Sequence, residues 1–364
     1  MPRPIRASID LEALRHNYLV SKHRAGSARA FAVVKANAYG HGLDRAIRAL
    51  APVADGFALL DLAEARQLRA AGVTAPIALL EGFFEPADLA DIVALGLTPA
   101  IHSEAQLAML ERARPDGAID VLLKINSGMN RLGFTADRFG AALARLRAMP
   151  WVRGITLMTH FARADDEVGI GAQLATFKAI TTGLDLPVSL ANSAALLRFP
   201  EAAGQIARPG IMLYGGSPMP DLHGADELGL RPVMTLTSEI IGVQEIAAGE
   251  RVGYGGTFEA SGPTRVGVVA CGYADGYPRH ALTGTPILVG GRRTRTLGRV
   301  SMDMLACDLS HLEDAGVGSP VNLWGDGLPA DEVATAAGTI SYELFCALAP
   351  RVPVSVRGES AGAA

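Results

Sequence analysis

Residues 31–42 read Phe31-Ala32-Val33-Val34-Lys35-Ala36-Asn37-Ala38-Tyr39-Gly40-His41-Gly42. Four apolar residues run straight into a lysine, and a glycine-punctuated turn follows. A short uninterrupted apolar run of this kind is the pattern of a strand covered on both faces, as in parallel sheets. The pattern repeats downstream. Further strands are predicted at 56–60, 76–80, 98–101, 119–125, 154–159, 187–191 and 205–207, with amphipathic helices between them, for example over 61–71, 103–113, 136–149 and 172–182. Eight such units in roughly 200 residues suit a closed TIM-type (β/α)8 barrel better than an open doubly wound sheet. The α/β barrel is expected over residues 8–230.

Beyond the linker Gly215-Gly-Ser-Pro-Met-Pro-Asp-Leu-His-Gly224 the composition shifts to short strands broken by glycine, at 233–243, 265–272, 286–297 and 305–308. Residues 231–364 are therefore expected to form a C-terminal, mostly-β domain, with residues 1–7 packing on it. The chain has 49% hydrophobic and 19% charged residues, a net charge of −4 and a pI near 6.1, which gives no basic footprint for nucleic acid. Cys271, Cys307 and Cys346 form no CxxC pair and no His/Cys cluster, so no metal site is expected and a reducing compartment is. The N-terminus carries no apolar core of a secretory signal and no apolar run reaches spanning length, so a cytoplasmic protein without membrane partners is expected.

In a (β/α)8 barrel the chemistry gathers where the strands end. Lys35 ends strand one. Lys124 lies in strand five, with Arg131 seven residues on. His160 ends strand six, Asn192 and Ser193 strand seven, and Arg208 strand eight. Each has an ordinary explanation: a snorkelling lysine, a satisfied core histidine, a helix N-cap, an arginine paired with a helix-face carboxylate. All of those would have to hold together at one rim. Lys35 is also one of only four lysines among 33 basic residues. Arginine can replace lysine as surface charge but not as an amine nucleophile. An amine at the end of a buried strand is costly when charged, so its pKa should fall, and a neutral amine forms imines, as a pyridoxal phosphate lysine does.

The β half adds Tyr254, set between glycines in Gly253-Tyr-Gly-Gly256, the segment Ser301-Met302-Asp303, and Thr339-Ile-Ser-Tyr342-Glu343, which opens a helix with an imperfect capping box. The glycines around Tyr254 do not fit a dinucleotide-binding turn.

These segments together resemble the alanine racemase family. The resemblance is carried by Ala32-Val-Val-Lys35-Ala-Asn-Ala-Tyr39-Gly-His-Gly42, Ser127-Gly-Met-Asn-Arg131-Leu-Gly133, Thr159-His160-Phe-Ala162, Asn192-Ser193, Arg208-Pro-Gly-Ile211, Gly253-Tyr254-Gly, Gly272-Tyr-Ala-Asp-Gly-Tyr-Pro278, Ser301-Met302-Asp303 and Tyr342-Glu343. It implies interconversion of L- and D-alanine by two-base removal and return of the α-proton on a pyridoxal phosphate aldimine. D-alanine would go to peptidoglycan, or the enzyme would serve alanine catabolism.

By that resemblance Lys35 holds the cofactor and serves the D-alanine face. Tyr254, from the partner subunit of a head-to-tail homodimer, serves the L-alanine face with His160 beside it. Arg208 faces the pyridine nitrogen, and Tyr39, Asn192, Ser193, Gly210, Ile211 and Tyr342 cradle the cofactor. Arg131 and Met302 bind the substrate carboxylate. Lys124 matches a lysine that is carbamylated in many members, and Asp165, Tyr273 and Asp303 form the entrance. Two departures stand out: Ser189 replaces a histidine found near the Arg208 position in some members, and Ser301 replaces a cysteine. Among other functions on this architecture, a basic amino acid decarboxylase needs a carboxylate where Arg208 stands. A broad-specificity racemase is usually exported, and a cofactor-homeostasis protein lacks a β domain.

Overall fold

Short apolar segments fill the interior of a parallel barrel because each can bury both faces of its pleat. The computed structural model describes residues 3–358 and contains eight such strands in one sheet: Arg29–Val33, Gly56–Leu59, Ile77–Leu79, Leu97–Ile101, Ile119–Lys124, Val152–Met158, Val188–Ser189 and Ile206–Ala207. Every neighbouring pair is parallel, and the eighth strand returns to the first, with Arg29 opposite Ile206. The last two strands are the shortest. Their seam closes through the Gln205 amide donating to the Val188 carbonyl at 2.9 Å, the Arg208 amide donating to the Ala191 carbonyl at 2.9 Å, and the Ser189 hydroxyl donating to the Ile206 carbonyl at 2.9 Å. The intervening helices include Leu62–Ala70, Glu104–Ala113, Ala136–Ala148 and Gly171–Ile180. Asp61 and Ser103 cap the first two by accepting from backbone amides.

The second half is a sheet of eight strands that closes on the 13-residue strand Met234–Ile246. Its first part pairs with Arg6–Asp10 and Pro320–Trp324, its second with Thr264–Val269, and a bulge between Ile240 and Gly242 turns it from one set of partners to the other. Arg6–Asp10 also pairs in parallel with Val354–Arg357. The strand expected over 286–297 is a hairpin, Pro286–Val289 and Arg292–Leu297, because Gly290 and Gly291 both take positive φ. Strands Pro320–Trp324 and Val354–Arg357 add to those read from the sequence. Residues 1 and 2, and 359–364 at the end of the expected β domain, lie outside the described residues.

The helix Ser341–Cys346 has no side-chain cap. The Thr339 hydroxyl bonds the Glu343 carboxylate instead, so the imperfectly spaced capping box does not form. This helix of the second half leans on the turn after the first barrel strand. A Cβ built on Gly40 (φ +77°) would stand 2.0 Å from the Phe345 carbonyl oxygen. Substituting Gly40→Ala should therefore destabilise the protein by about 3 kcal/mol, combining overpacking against backbone with a left-handed alanine. Chemical denaturation of the purified variant measures it, and a change below ~0.5 kcal/mol would show that the contact yields.

Candidate active site

Lys35 stands one residue beyond the end of the first barrel strand, after Val34, and the backbone after it is strained. Ala36, Asn37, Ala38 and Tyr39 have φ of +55°, +53°, +54° and +51°, one turn of left-handed helix without a glycine. At ~1–2 kcal/mol per residue that is a cost of several kcal/mol. The surroundings hold it in place. The amide of Ala38 donates to the Val34 carbonyl at 2.9 Å, and that of Gly42 to the Asn37 carbonyl at 2.9 Å. The Asn37 amide donates to Glu64 Oε1 at 2.9 Å, and Asn37 Oδ1 accepts from the Leu43 amide at 2.8 Å. His41 is buried, Nδ1 facing the Ala38 and Tyr39 carbonyls at 3.2 and 2.9 Å; burial pushes its pKa down to about 4, so it is neutral and Nδ1 carries the proton that donates. Tyr39 stacks on Tyr214 at 4.7 Å, and the Tyr214 hydroxyl donates to the Val33 carbonyl at 2.9 Å. The turn thus aims Lys35 into a cavity and seals Tyr39 into its wall.

The cavity, of about 1070 Å³, opens at the C-terminal rim of the barrel. It brings together Lys35, Tyr39, Lys124, Arg131, His160, Asp165, Asn192, Ser193, Arg208, Gly210, Ile211 and Tyr342. Lys35 is half-buried, at the mouth rather than sealed in the interior. Asn192 Oδ1 accepts from the Ala195 amide and caps the short helix Ser193–Arg198. Ser193 Oγ accepts from the Gly210 amide at 2.8 Å. A Cβ on Gly210 would lie 2.7 Å from the Tyr39 hydroxyl, so bare backbone, two hydroxyls and a helix start converge on one small space. Such a group of donors suits a phosphate.

Opposite lies a concentration of positive charge. Arg208 is 4% exposed and donates only to neutral acceptors: Ser189 Oγ at 2.6 Å, the Thr159 carbonyl at 2.7 Å and the Leu190 carbonyl at 3.2 Å. Burial lowers its pKa to about 10, which still leaves it charged at neutral pH. Ser189, the position where the sequence departs from a histidine, thus orients the guanidinium itself. Lys124 is 5% exposed. Burial first, then the charges of Arg208 and Arg131, bring its pKa down to about 8. His160 is held neutral, well below the usual histidine range, by burial and by Arg208, Arg131, Lys124 and Lys35.

Glu81 is a lining residue the sequence reading missed, and its carboxylate opposes the fall in the Lys124 pKa. It stands just past strand Ile77–Leu79, so the strand-end rule applied to the third strand would have found it. His102 follows the fourth strand in the same way, its Nε2 3.1 Å from the Glu81 carbonyl oxygen.

Four expected residues are not in this cavity. Tyr254, Tyr273, Met302 and Asp303 sit on the second half of the chain, and the first three are 72%, 37% and 53% exposed. The side chains of Tyr254, Tyr273 and Met302 face outward from their own chain, whereas the Asp303 carboxylate accepts from Arg351 Nη2 at 2.7 Å.

Fold and cavity together define a two-domain barrel protein whose rim joins a strand-end amine to an anion cradle and a cluster of cations. Comparison with known proteins specifies it further. Residues 9–218 match the model of the alanine racemase N-terminal domain, and residues 233–356 that of the alanine racemase C-terminal domain. The alanine racemase of Thiobacillus denitrificans is 60% identical over 98% of this chain and 97% of its own. The crystal structure of the biosynthetic alanine racemase from Pseudomonas aeruginosa superposes with a TM-score of 0.95 at 50% identity, over 97% of this chain and 99% of that one. The alanine racemase of Bartonella henselae, with covalently bound pyridoxal phosphate, does so with a TM-score of 0.87 at 27% identity, over 98% and 100%. The chain belongs to the alanine racemase family. No helix among the described residues is long and apolar enough to cross a membrane.

Proposed function

We propose that the protein interconverts L-alanine and D-alanine, with pyridoxal phosphate held by Lys35 and with two copies of the chain completing each other's sites. The observation that carries this is the meeting, in a chain of this family, of one strand-end lysine with a phosphate-sized donor cradle and three further cations. Tyr39, Ser193, Gly210, Ile211 and Tyr342 would hold the phosphate, Asn192 would keep the helix start beneath it, and Arg208 would hold the ring nitrogen. When bound, the cofactor supplies the electron sink that makes the α-proton of an amino acid removable. The protein supplies the rest.

Racemisation takes a proton from one face of Cα and returns one to the other, so two bases must stand on opposite sides. Lys35 Nζ serves the D-alanine face. The Tyr254 hydroxyl of a second copy serves the L-alanine face, which accounts for an exposed tyrosine on a glycine turn. A phenol that keeps its proton is a poor base, and a neutral His160 in the cavity that this hydroxyl would enter can share that proton. Arg208 stays protonated, so it would donate to the ring nitrogen rather than give it a proton, which would weaken the sink and limit stray transamination. Arg131 and the backbone amide of Met302 from the second copy orient the substrate carboxylate, and Asp165, Tyr273 and Asp303 flank the entrance.

The decisive experiment is borohydride reduction of the loaded protein followed by peptide mapping, with D-alanine formation from L-alanine measured in parallel. The pyridoxyl group is expected on Lys35. Cofactor bound without racemisation would sink the proposal.

We further propose that Lys124 carries a carbamate. No carboxylate pairs with it among the described residues, and with a pKa of about 8 the neutral amine is a minor form at neutral pH that grows to the major one as pH rises past 8. The neutral amine is the form that captures carbon dioxide, and the product is an anion where two arginines lack one. Occupancy should rise as pH climbs from 7 toward 9 at fixed dissolved CO2, read by carbon-13 NMR of labelled protein. Lys124→Ala should lower kcat/KM about 10-fold, the scale of one lost charge-assisted hydrogen bond. An unmodified Lys124 at pH 9 would reject the carbamate.

A further inference from the structure

Away from the cavity, the second half of the chain buries one carboxylate under two arginines. Asp275 has 0% side-chain exposure and accepts four hydrogen bonds: from Arg3 Nη1 at 2.8 Å and Nη2 at 3.1 Å, from Arg351 Nε at 2.7 Å, and from the Gly272 amide at 3.0 Å. Burial works against its ionisation, and these donors outweigh burial and hold it below the ordinary carboxylate range. The arginines do not stop there. Arg3 Nη2 goes on to the Asp303 carbonyl at 2.6 Å, and Arg351 Nη2 to Asp303 Oδ1 at 2.7 Å. Backbone bonds join the same segments: the Tyr273 amide donates to the Ser301 carbonyl at 3.0 Å, and the Ala274 amide to the Met302 carbonyl at 3.0 Å. Asp275 therefore ties the turn at 272–276 to the loop at 301–304, and both to residues near each end of the chain.

The side chains carried by these two segments point outward. Tyr273, Met302 and Met304 are 37%, 53% and 43% exposed. A buried ionic cluster is a poor source of stability, and its best-attested use is to fix one arrangement among several. Here it fixes the backbone beneath an exposed apolar patch that serves nothing in its own chain. We infer that Asp275, with Arg3 and Arg351, is a positioning residue that holds Tyr273 and Met302 as a rigid surface completing the cavity of a second copy of the chain. This rests on the proposed sharing of sites between two copies.

The role acts across the dimer, which gives a readout that a merely structural residue would not move. Full-length Asp275→Asn, loaded with pyridoxal phosphate, should keep its imine absorbance, since its own cavity is intact, and lose ~10²-fold in D-alanine formation, the scale of a misplaced contact. It is then co-expressed with Lys35→Ala under a second tag, and mixed dimers are isolated. One of their two sites joins an intact Lys35 to intact partner loops, so about half the parental rate per dimer should return. The control pair is Lys35→Ala with Tyr254→Phe. Recovery in the control but not with Asp275→Asn would show that Asp275 acts within its own chain and overturn the inference while leaving shared sites standing. Recovery in neither would remove shared sites and the inference together. An Asp275→Asn homodimer within about two-fold of the parental rate overturns it as well. If that chain does not accumulate, Arg351→Gln, at a partly exposed residue, replaces it with the same pattern expected and a smaller loss.

Discussion

With Lys35 replaced by alanine, imine absorbance and racemisation should vanish together, the rate falling at least ~10⁴-fold, as when a covalent catalytic group is removed. The reasoning is one of supply. Lys22 bonds Asp55 at 2.5 Å, and Lys178 lies on the outer helix Gly171–Ile180, so neither lines the cavity. Lys124 does line it, but it is 5% exposed, where Lys35 is only half-buried. The fold should be indifferent to the change, because Lys35 is half-exposed and the left-handed turn after it is held by His41, Asn37, Glu64 and Tyr214 rather than by the lysine itself. Stability should stay within about 0.5 kcal/mol, the usual range for a substitution outside the packed core. The phosphate cradle also survives, so the cofactor should still bind, more weakly and without an imine. A pyridoxyl label appearing on Lys124 in this variant would show that the cavity does not single out Lys35.

The second large effect is expected from Tyr254→Phe, which should keep the cofactor and lose at least ~10²-fold in racemisation, the scale of a removed acid–base group. The loss should have a direction. On the proposed mechanism Lys35 would still serve the D-alanine face, so exchange of the α-proton of D-alanine with solvent deuterium should continue. L-alanine finds no base on its own face, so its exchange collapses. Proton NMR of each enantiomer in deuterated buffer separates the two. Equal loss from both, or near-normal racemisation, would remove Tyr254 from the chemistry. Tyr254 is 72% exposed and absent from its own chain's cavity, so the substitution should not disturb the monomer.

The sequence revealed the barrel because parallel strands buried on both faces read as mostly apolar runs, and each run here gives way to a polar residue within two positions of the strand's end. The same rule found Lys35, His160, Asn192, Ser193 and Arg208. Applied to the third and fourth strands, it would also have found Glu81 and His102. The second half was harder. Arg6–Asp10 pairs with residues more than two hundred positions away, and nothing local announces an antiparallel partner at that distance. The hairpin at Gly290-Gly291 hid inside a run that reads as one strand.

What the sequence by itself determined is which groups are supplied, and on which strand ends: an amine, two arginines, a histidine and a helix cap, carried by apolar runs that can pack only as a covered parallel sheet. What only the tertiary structure decided is how they are held. Ala36-Asn37-Ala38-Tyr39 has no local reason to turn left-handed. It takes that conformation where Tyr214 stacks on Tyr39, Glu64 accepts from the Asn37 amide and the His41 ring faces the Ala38 and Tyr39 carbonyls, and the first two of these come from distant parts of the chain. Lys124 is an ordinary lysine in the sequence. Its pKa falls to about 8 only where burial meets the charges of Arg208 and Arg131. Lys35 was legible as a candidate imine former from its place at the end of a strand. Its aim into the cavity was not, because that depends on contacts that exist only once the barrel and the β half have packed together.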